Sequence, residues 1–409
     1  MSNEKRIHII GAGVSGLVCA IELEKAGYQP HILEAKPQAG GRVQSDRVQG
    51  WPLDHGFQVL LTQYPMARQY LNYQALQLRN FRPGAVVFSG GKPHTIGDPL
   101  RDFGFLFSSL LSAVGSMGDK IKILRLSLSL KSKSLDDIFS APERSTLEYL
   151  TDYGFSKRII RFFFRPFFTG IFLEPNLATS SRMFEFVYKM FSEGHASVPA
   201  NGIQAVTDQL QGQLTKTTFH FGAKVQSVSN GEILLADGCR LESDAIVLAT
   251  DPAPFLPNHP KAEKRWHSCT TLYFKAKRSV LDSPIIGLIA DEEALVNNLL
   301  YLSDLPLKGG DGIVLSATVV KPHQLDESAL VARVKQDLQQ YCGIEDLELI
   351  KVYPIRKALP VLTGLRHRLA AEDIQVAEGI FLAGDHLAYA SLNAAMYSGQ
   401  AAASLIAAS

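Results

Sequence analysis

Three glycines near the start of the chain, Gly11, Gly13 and Gly16, lie in the string Gly-Ala-Gly-Val-Ser-Gly, after the apolar run Ile7 to Ile10 and ahead of a helical pattern. In that context each glycine has a mechanical task. Gly11 permits a tight turn, Gly13 lets backbone approach a pyrophosphate, and Gly16 lets the helix pack close to the strand. Val14 and Ser15 open that helix, whose free N–H groups present partial positive charge to phosphates. Glu34, about twenty residues on, ends a second apolar run and is followed by Ala35. A carboxylate there can accept from both hydroxyls of a ribose and would repel a 2′-phosphate.

Gly40-Gly41-Arg42 follows, a paired-glycine turn ending on a fixed cation that can neutralise pyrophosphate or lie beside a ring cofactor. In Asp54-His-Gly-Phe-Gln-Val-Leu60, Gly56, with Phe57 and Gln58, interrupts an apolar segment in the manner of backbone packed on a cofactor ring. No serine, cysteine or histidine arrangement reads as a nucleophile, and no histidine spacing reads as a metal site. The cysteines Cys19, Cys239, Cys269 and Cys342 form no CxxC pair. No catalytic acid or base and no metal is therefore assigned.

The elements that must position these residues read as strand, helix and strand from Ile7 to Leu33, with Gly27 at the left-handed end of the helix. Such a unit joins parallel strands through a right-handed crossover. From Asp98 to Phe191, leucine, lysine and aromatic residues recur at helical spacing, which reads as a helical insert. Strand signals return at Lys224 to Ser227, Glu232 to Leu235 and Asp244 to Ala249, with Asn230-Gly231 and Asp237-Gly238 as turns between them. More β-like runs between Thr270 and Val320, then a helix from Glu327 to Tyr341, predict a second sheet. The tail reads as a strand at Ile380 to Ala383 and a helix from about Asn393 to Ala407.

The expected fold is thus α/β: a Rossmann-like dinucleotide-binding domain, which the resemblance given below makes an FAD-binding domain, built from residues 1–90, 196–255 and 365–409. Joined to it is an α+β substrate domain from residues 91–195 and 256–364. With 41 basic and 40 acidic residues in 409, the net charge of +1 gives no global field to attract nucleic acid, so a small-molecule partner is expected. The N-terminus carries no signal-peptide pattern and no run reaches the ~18 apolar residues that span a bilayer, which points to a cytoplasmic protein. Two segments qualify that reading. Phe103 to Val114 is strongly apolar, and Asp119 to Lys133 alternates apolar and basic residues in the way of a helix lying on an anionic membrane surface.

Taken together, the glycine fingerprint, Glu34, Gly40-Gly41-Arg42, Asp54-x-Gly56, Val198-Pro-Ala-Asn-Gly202, Gly379-Ile-Phe-Leu-Ala-Gly-Asp385 and Ser398-Gly399 resemble the flavin amine oxidase superfamily. That group includes monoamine oxidases, protoporphyrinogen oxidases and carotenoid desaturases. The resemblance, which runs the length of the chain, implies FAD as cofactor. It implies that Gly384 and Asp385 meet the ribityl or pyrophosphate portion, that the Val225 backbone meets the adenine, and that Ala249 belongs to a cofactor loop. It also implies that Leu392, Asn393 and Ala394 start a helix aimed at the flavin, whose positive end stabilises the reduced ring.

Departures from the pattern choose among branches. Ser391 stands where amine oxidases place a cage tyrosine. Cys269 or Thr270 stands where many carry a flavin-facing lysine, with Lys275 as a weaker candidate for that part. Both departures favour dehydrogenation or desaturation of a hydrophobic, isoprenoid-like substrate over amine or porphyrinogen oxidation. The cluster Phe162 to Phe168 resembles the segment lining the substrate cavity, which nominates Phe163, Arg165, Phe168 and Ser391 as substrate contacts.

Overall fold

The computed structural model describes residues 5–97, 115–259 and 265–409. A six-stranded sheet holds strands β1 (Ile7–Ile10), β2 (His31–Glu34), β5 (Thr218–Phe221), β9 (Ala245–Leu248), β15 (Gln375–Ala377) and β16 (Ile380–Leu382), in the order β5-β2-β1-β9-β16-β15. All neighbours pair in parallel except the edge strand β15. The sheet therefore draws on three distant stretches of chain.

Helix α1 (Val14–Lys25) crosses from β1 to β2, and Gly27 beyond it takes φ of 93°. That left-handed value is the one glycine adopts without steric cost, so the helix stops there. A three-stranded meander of β6 (Val225–Ser229), β7 (Glu232–Leu235) and β8 (Arg240–Glu242) packs on the opposite face of the sheet, over Ile10, Leu33, Ile246 and Leu248. Its turns fall at Gly231 and Gly238, both at positive φ. The third meander strand, β8, has no counterpart in the sequence reading, where only two runs stood out before β9.

A second sheet has seven strands. They are β3 (Gly84–Ser89), β4 (Lys92–Gly97), β10 (Trp266–Ala276), β11 (Ile286–Ile289), β12 (Val296–Tyr301), β13 (Ile313–Val319) and β14 (Glu348–Pro360), ordered β14-β10-β13-β12-β11-β3-β4. Strand β14 is 13 residues long and escaped sequence reading because its interior Pro354 argues against a strand. It lies at the sheet edge, where a missing N–H is tolerated. Helix α5 (Glu327–Cys342) covers one face through Leu330, Val334 and Leu338.

The described part of the expected helical insert is a series of helices joined by short loops. It includes α2 (Met117–Ser132), α3 (Arg165–Phe172) and α4 (Ser181–Glu193). Residues Phe103 to Val114 lie outside the described residues. One turn of wider winding, Ile160–Phe164, precedes α3, with the Arg165 N–H donating to the carbonyl of Ile160. Pro166 supplies the cause, since it has no N–H to offer the carbonyl four residues back and its ring crowds that group. The last helix, α6 (Leu392–Ala408), lies along α1 so tightly that a Cβ on Gly399 would come within 2.2 Å of the Ser15 carbonyl.

Candidate functional site

The turn between β1 and α1 is built on contacts that only hydrogen permits. A Cβ on Gly16 would meet the Gly11 carbonyl at 2.1 Å, and one on Gly11, where φ is 105°, would meet the Ala249 carbonyl at 2.8 Å. Gly13 plays a different part. It faces Gly41 across a gap too narrow for a side chain on Gly41, whose Cβ would come within 3.1 Å of the Gly13 Cα. Two bare backbones thus oppose each other at the N-terminus of α1, where partial positive charge gathers. The Gly40 N–H donates to the Ala12 carbonyl at 2.9 Å and holds the two loops together.

Glu34 is buried at the end of β2. Its Oε2 accepts from the Ala12 N–H at 2.8 Å and its Oε1 from the Lys36 N–H at 2.9 Å, so each oxygen is oriented and keeps a lone pair for a ribose hydroxyl. Ala35 lies between those two anchors. Val225 opens β6 at a register slip between Val225 and Ser227. Such a slip frees backbone from the ladder beside the strand end.

Arg42 reaches across the site. Its Nη2 lies 2.5 Å from Asp385 Oδ1, and its Nη1 donates to the Ala358 carbonyl at 3.0 Å. Burial works against the guanidinium charge, but the adjacent Asp385 outweighs it and raises the pKa above its ordinary value. The Gly384 N–H donates to Ser398 Oγ at 2.8 Å, fixing the Gly384-Asp385 turn to α6. Asp385 and Arg42 therefore sit side by side next to the Gly13–Gly41 gap.

Two further residues, Trp266 and Lys357, join this cluster and were not singled out from the sequence. The Trp266 ring lies 5.4 Å from the Arg42 guanidinium carbon and 5.6 Å from Lys357 Nζ, and Lys357 pairs with Asp251. Trp266 and Lys357 come from the facing ends of β10 and β14, where Trp266 is registered against Pro360. No local signal could bring them together, because the pairing of two strands some ninety residues apart does so.

At the ring end, Gly56 adopts φ of 103°, and a Cβ there would stand 3.5 Å from Ile355 Cδ1. Ile355 is the rung partner of Cys269. Burial pushes the Cys269 thiol up to about 12, so it stays protonated. Lys275 lies at the far end of the same strand and is exposed. Gln58 Nε2 donates to the Arg42 and His55 carbonyls, both at 2.9 Å. Asp54 accepts from Ser45 Oγ and the Ile203 N–H, yet burial raises its pKa to about 6. Phe57, Val198, Leu300 and Leu305 line, together with Asp54, Gln58, Tyr273 and Ser316, a small cavity of about 30 Å³.

Ser391, Leu392, Asn393 and Ala394 form the start of α6. Ser391 Oγ accepts from the Ala394 N–H at 3.0 Å and so caps the helix. Asn393 is buried and committed, accepting from the Met66 N–H and donating to the Tyr389 hydroxyl at 2.7 Å. Tyr389 itself is fully buried against Phe139 and Phe186.

The nominated substrate contacts of the insert are placed elsewhere. Phe168 is 1% exposed among Phe164, Phe172 and Phe184, and Arg165 Nη1 donates to the Pro175 carbonyl at 2.8 Å. Phe163 is half-buried and stacks on Phe167. Helix α3 packs on β11 and β12 of the second sheet. Among the described residues no group of histidine, cysteine and carboxylate side chains could hold a metal.

A parallel sheet with a glycine-lined turn at a helix N-terminus, a buried glutamate at the end of the next strand and an ion-paired arginine beside the turn is the architecture of a dinucleotide-binding protein. The chain matches the model of the flavin containing amine oxidoreductases over residues 14–407, and it belongs to that family. It is an FAD-dependent enzyme, and the cradle fits the cofactor: Gly13 and Gly41 keep side chains away from the α1 N-terminus, and Glu34 keeps lone pairs for a ribose.

An L-amino-acid oxidase of Bothrops moojeni is 43% identical over 110 residues, a stretch covering 26% of this chain and 22% of that protein. The match thus spans about a fifth of the relative's length. A protein of Exiguobacterium sp. 255-15, described provisionally as a protoporphyrinogen oxidase, superposes with a TM-score of 0.75 at 18% identity, covering 100% of both chains. A fatty acid isomerase of P. acnes that produces CLA superposes with a TM-score of 0.71 at 16% identity, covering 98% of each. These structural likenesses carry the fold alone.

Proposed function

We propose that this flavoenzyme dehydrogenates or desaturates a hydrophobic substrate, of which an isoprenoid chain is one form. The observation that carries the reading is the apolar character of the ring end. Gly56 faces Ile355, the rung partner of Cys269, the adjoining cavity is lined by Phe57, Val198 and leucines with Asp54, Gln58, Tyr273 and Ser316 at its polar side, and Lys275 stands at the exposed end of its strand. Bound FAD supplies a ring that accepts a hydride. The chain's own contribution is to hold the phosphates on the α1 N-terminus, orient the ribose through Glu34, and direct the α6 N-terminus, capped by Ser391, toward the ring.

Of the nominated substrate contacts, Phe163 and Ser391 suit this reading better than Arg165 and Phe168, whose side chains are occupied by the Pro175 carbonyl and the aromatic core. The division into residues 1–90, 196–255 and 365–409 for cofactor and 91–195 and 256–364 for substrate remains part of the proposal, as does contact with a membrane surface. A second reading, oxidation of an amine or amino acid with oxygen as acceptor, is supported by the 43% identity to the L-amino-acid oxidase segment.

An anaerobic screen separates the two. Flavin absorbance near its visible maximum is followed as polyene, fatty acyl, porphyrinogen, amine and amino acid compounds are added, and oxygen or a quinone is then admitted. Bleaching by an apolar compound is the expected result. Bleaching by amines alone, with peroxide formed on aeration, overturns it in favour of the second reading.

A further inference from the structure

Seven large apolar side chains stand exposed among the described residues, and four of them lie on α2: Met117 at 58%, Ile121 at 49%, Leu124 at 43% and Leu128 at 58%. At about 100° per residue these four fall within an arc of roughly 60°, a seam running the length of the helix. Leu126 and Leu130, on the opposite side, are buried, and Ser127 meets Tyr188 of α4 at 3.3 Å. The helix thus spends one apolar stripe on the protein and turns a second outward.

The charges on α2 have one sign where they meet solvent. Arg125 flanks the seam on one side and Lys131 on the other, both exposed. The helix's acid, Asp119, is buried in the capping box with Ser116 and also accepts from the Ser156 N–H and hydroxyl. Lys122 donates to the Gly154 carbonyl. An outward apolar seam bordered by cations matches the boundary of an anionic bilayer, where hydrocarbon and phosphate are met together. A second copy of the helix would bring cations against cations.

We propose that α2 is the element by which this protein docks on an anionic lipid surface, its Met117-Ile121-Leu124-Leu128 seam entering the acyl boundary and Arg125 and Lys131 resting on lipid phosphates. The inference rests on the hydrophobic-substrate reading only for its purpose, since a lipid-soluble substrate is met at a lipid surface. The docking itself stands on the geometry of α2. Each cation near such a surface strengthens binding about fivefold.

The experiment uses FAD-loaded full-length protein and flotation with vesicles of phosphatidylcholine, with or without phosphatidylglycerol. No substrate is present, so failure of docking and failure of the substrate reading are separate results. The wild type is expected to float with anionic vesicles and not with neutral ones, less so as salt rises. A seam variant, Ile121→Ser with Leu124→Ser and Leu128→Ser, is expected to lose at least tenfold in binding while keeping its flavin and melting temperature. A charge variant, Arg125→Gln with Lys131→Gln, is expected to lose roughly the square of the single-cation factor. Equal flotation with neutral and anionic vesicles overturns the proposal, as does wild-type binding by the seam variant. A wild-type dimer that the seam variant turns into a monomer, without vesicle binding, assigns the face to a second copy instead.

Discussion

The cofactor cradle and the helical layer beside it are built by opposite means. The cradle is made of backbone, with Gly11, Gly13, Gly16 and Gly41 where side chains would collide or block the gap, and Glu34 tied to two N–H groups. The layer is made of side chains, with Phe164, Phe168, Phe172 and Phe184 packed ring on ring. Backbone geometry tolerates few sequences, whereas an aromatic core can be filled in many ways. The first region therefore carries a signature of the ligand and the second carries only the need to exclude water.

The largest effect expected from this contrast is on the layer. Phe168→Ala removes a ring that is 1% exposed and should lower folding stability by about 3–5 kcal/mol, measured by denaturant unfolding. FAD affinity of the folded fraction should stay within about threefold, because none of the cradle's named bonds involves Phe168. A tenfold or greater loss of FAD affinity would show that the layer shapes the cradle, and the contrast would fail.

The same contrast explains what the sequence made legible. Residues Gly11 to Gly16, Glu34 and Gly384-Asp385 were legible because each answers a local demand of a turn, a strand end or a helix start. Arg165 and Phe168 invited a substrate role through their place in an aromatic cluster. Their partners, the Pro175 carbonyl and Phe184, are fixed by tertiary packing that no local pattern encodes. Trp266 and Lys357 went unnoticed for the same reason, because strand pairing between β10 and β14 unites them. Strand β14 was hidden by Pro354, whose cost vanishes at a sheet edge.

Acid should attack the cofactor sheet before the layer. His8 on β1 stacks 5.2 Å from His31, which stacks 5.4 Å from His220. Burial lowers the His8 pKa to about 4, and His31, His220 and Arg6 push the same way against Asp244. Between an ordinary value near 6.5 and about 4, the unfolded chain binds a proton that native His8 refuses, so stability falls as pH falls. The loss by the bottom of that window is up to about 3 kcal/mol. His8→Gln should flatten the pH dependence of the melting temperature between pH 6.5 and 4. An unchanged slope would remove His8 from the account.

Glu34→Ala is the converse of the Phe168 variant. It leaves the buried Ala12 N–H and the part-buried Lys36 N–H without their acceptor and takes the expected ribose contact away, so FAD binding should weaken by about 1–3 kcal/mol, read by equilibrium dialysis. Unchanged affinity would mean that the cradle works through the glycines alone.

The smallest effect tests how far the cradle extends. The chain has two tryptophans, so a Trp51→Phe background leaves Trp266 as the sole indole emitter. Trp266 sits beside Arg42, which pairs with Asp385 next to the Gly13–Gly41 gap, and so its emission should fall by half or more when apoprotein takes up FAD. Replacing Trp266 itself with Phe should alter FAD affinity only about two- to threefold, since a cation over a part-exposed ring contributes about 0.5–1 kcal/mol and Phe retains part of it. Quenching with little loss of affinity would make Trp266 a neighbour of the cofactor that does not anchor it. Absence of quenching would end the cradle at Arg42 and leave the β10–β14 ends as packing for the arginine.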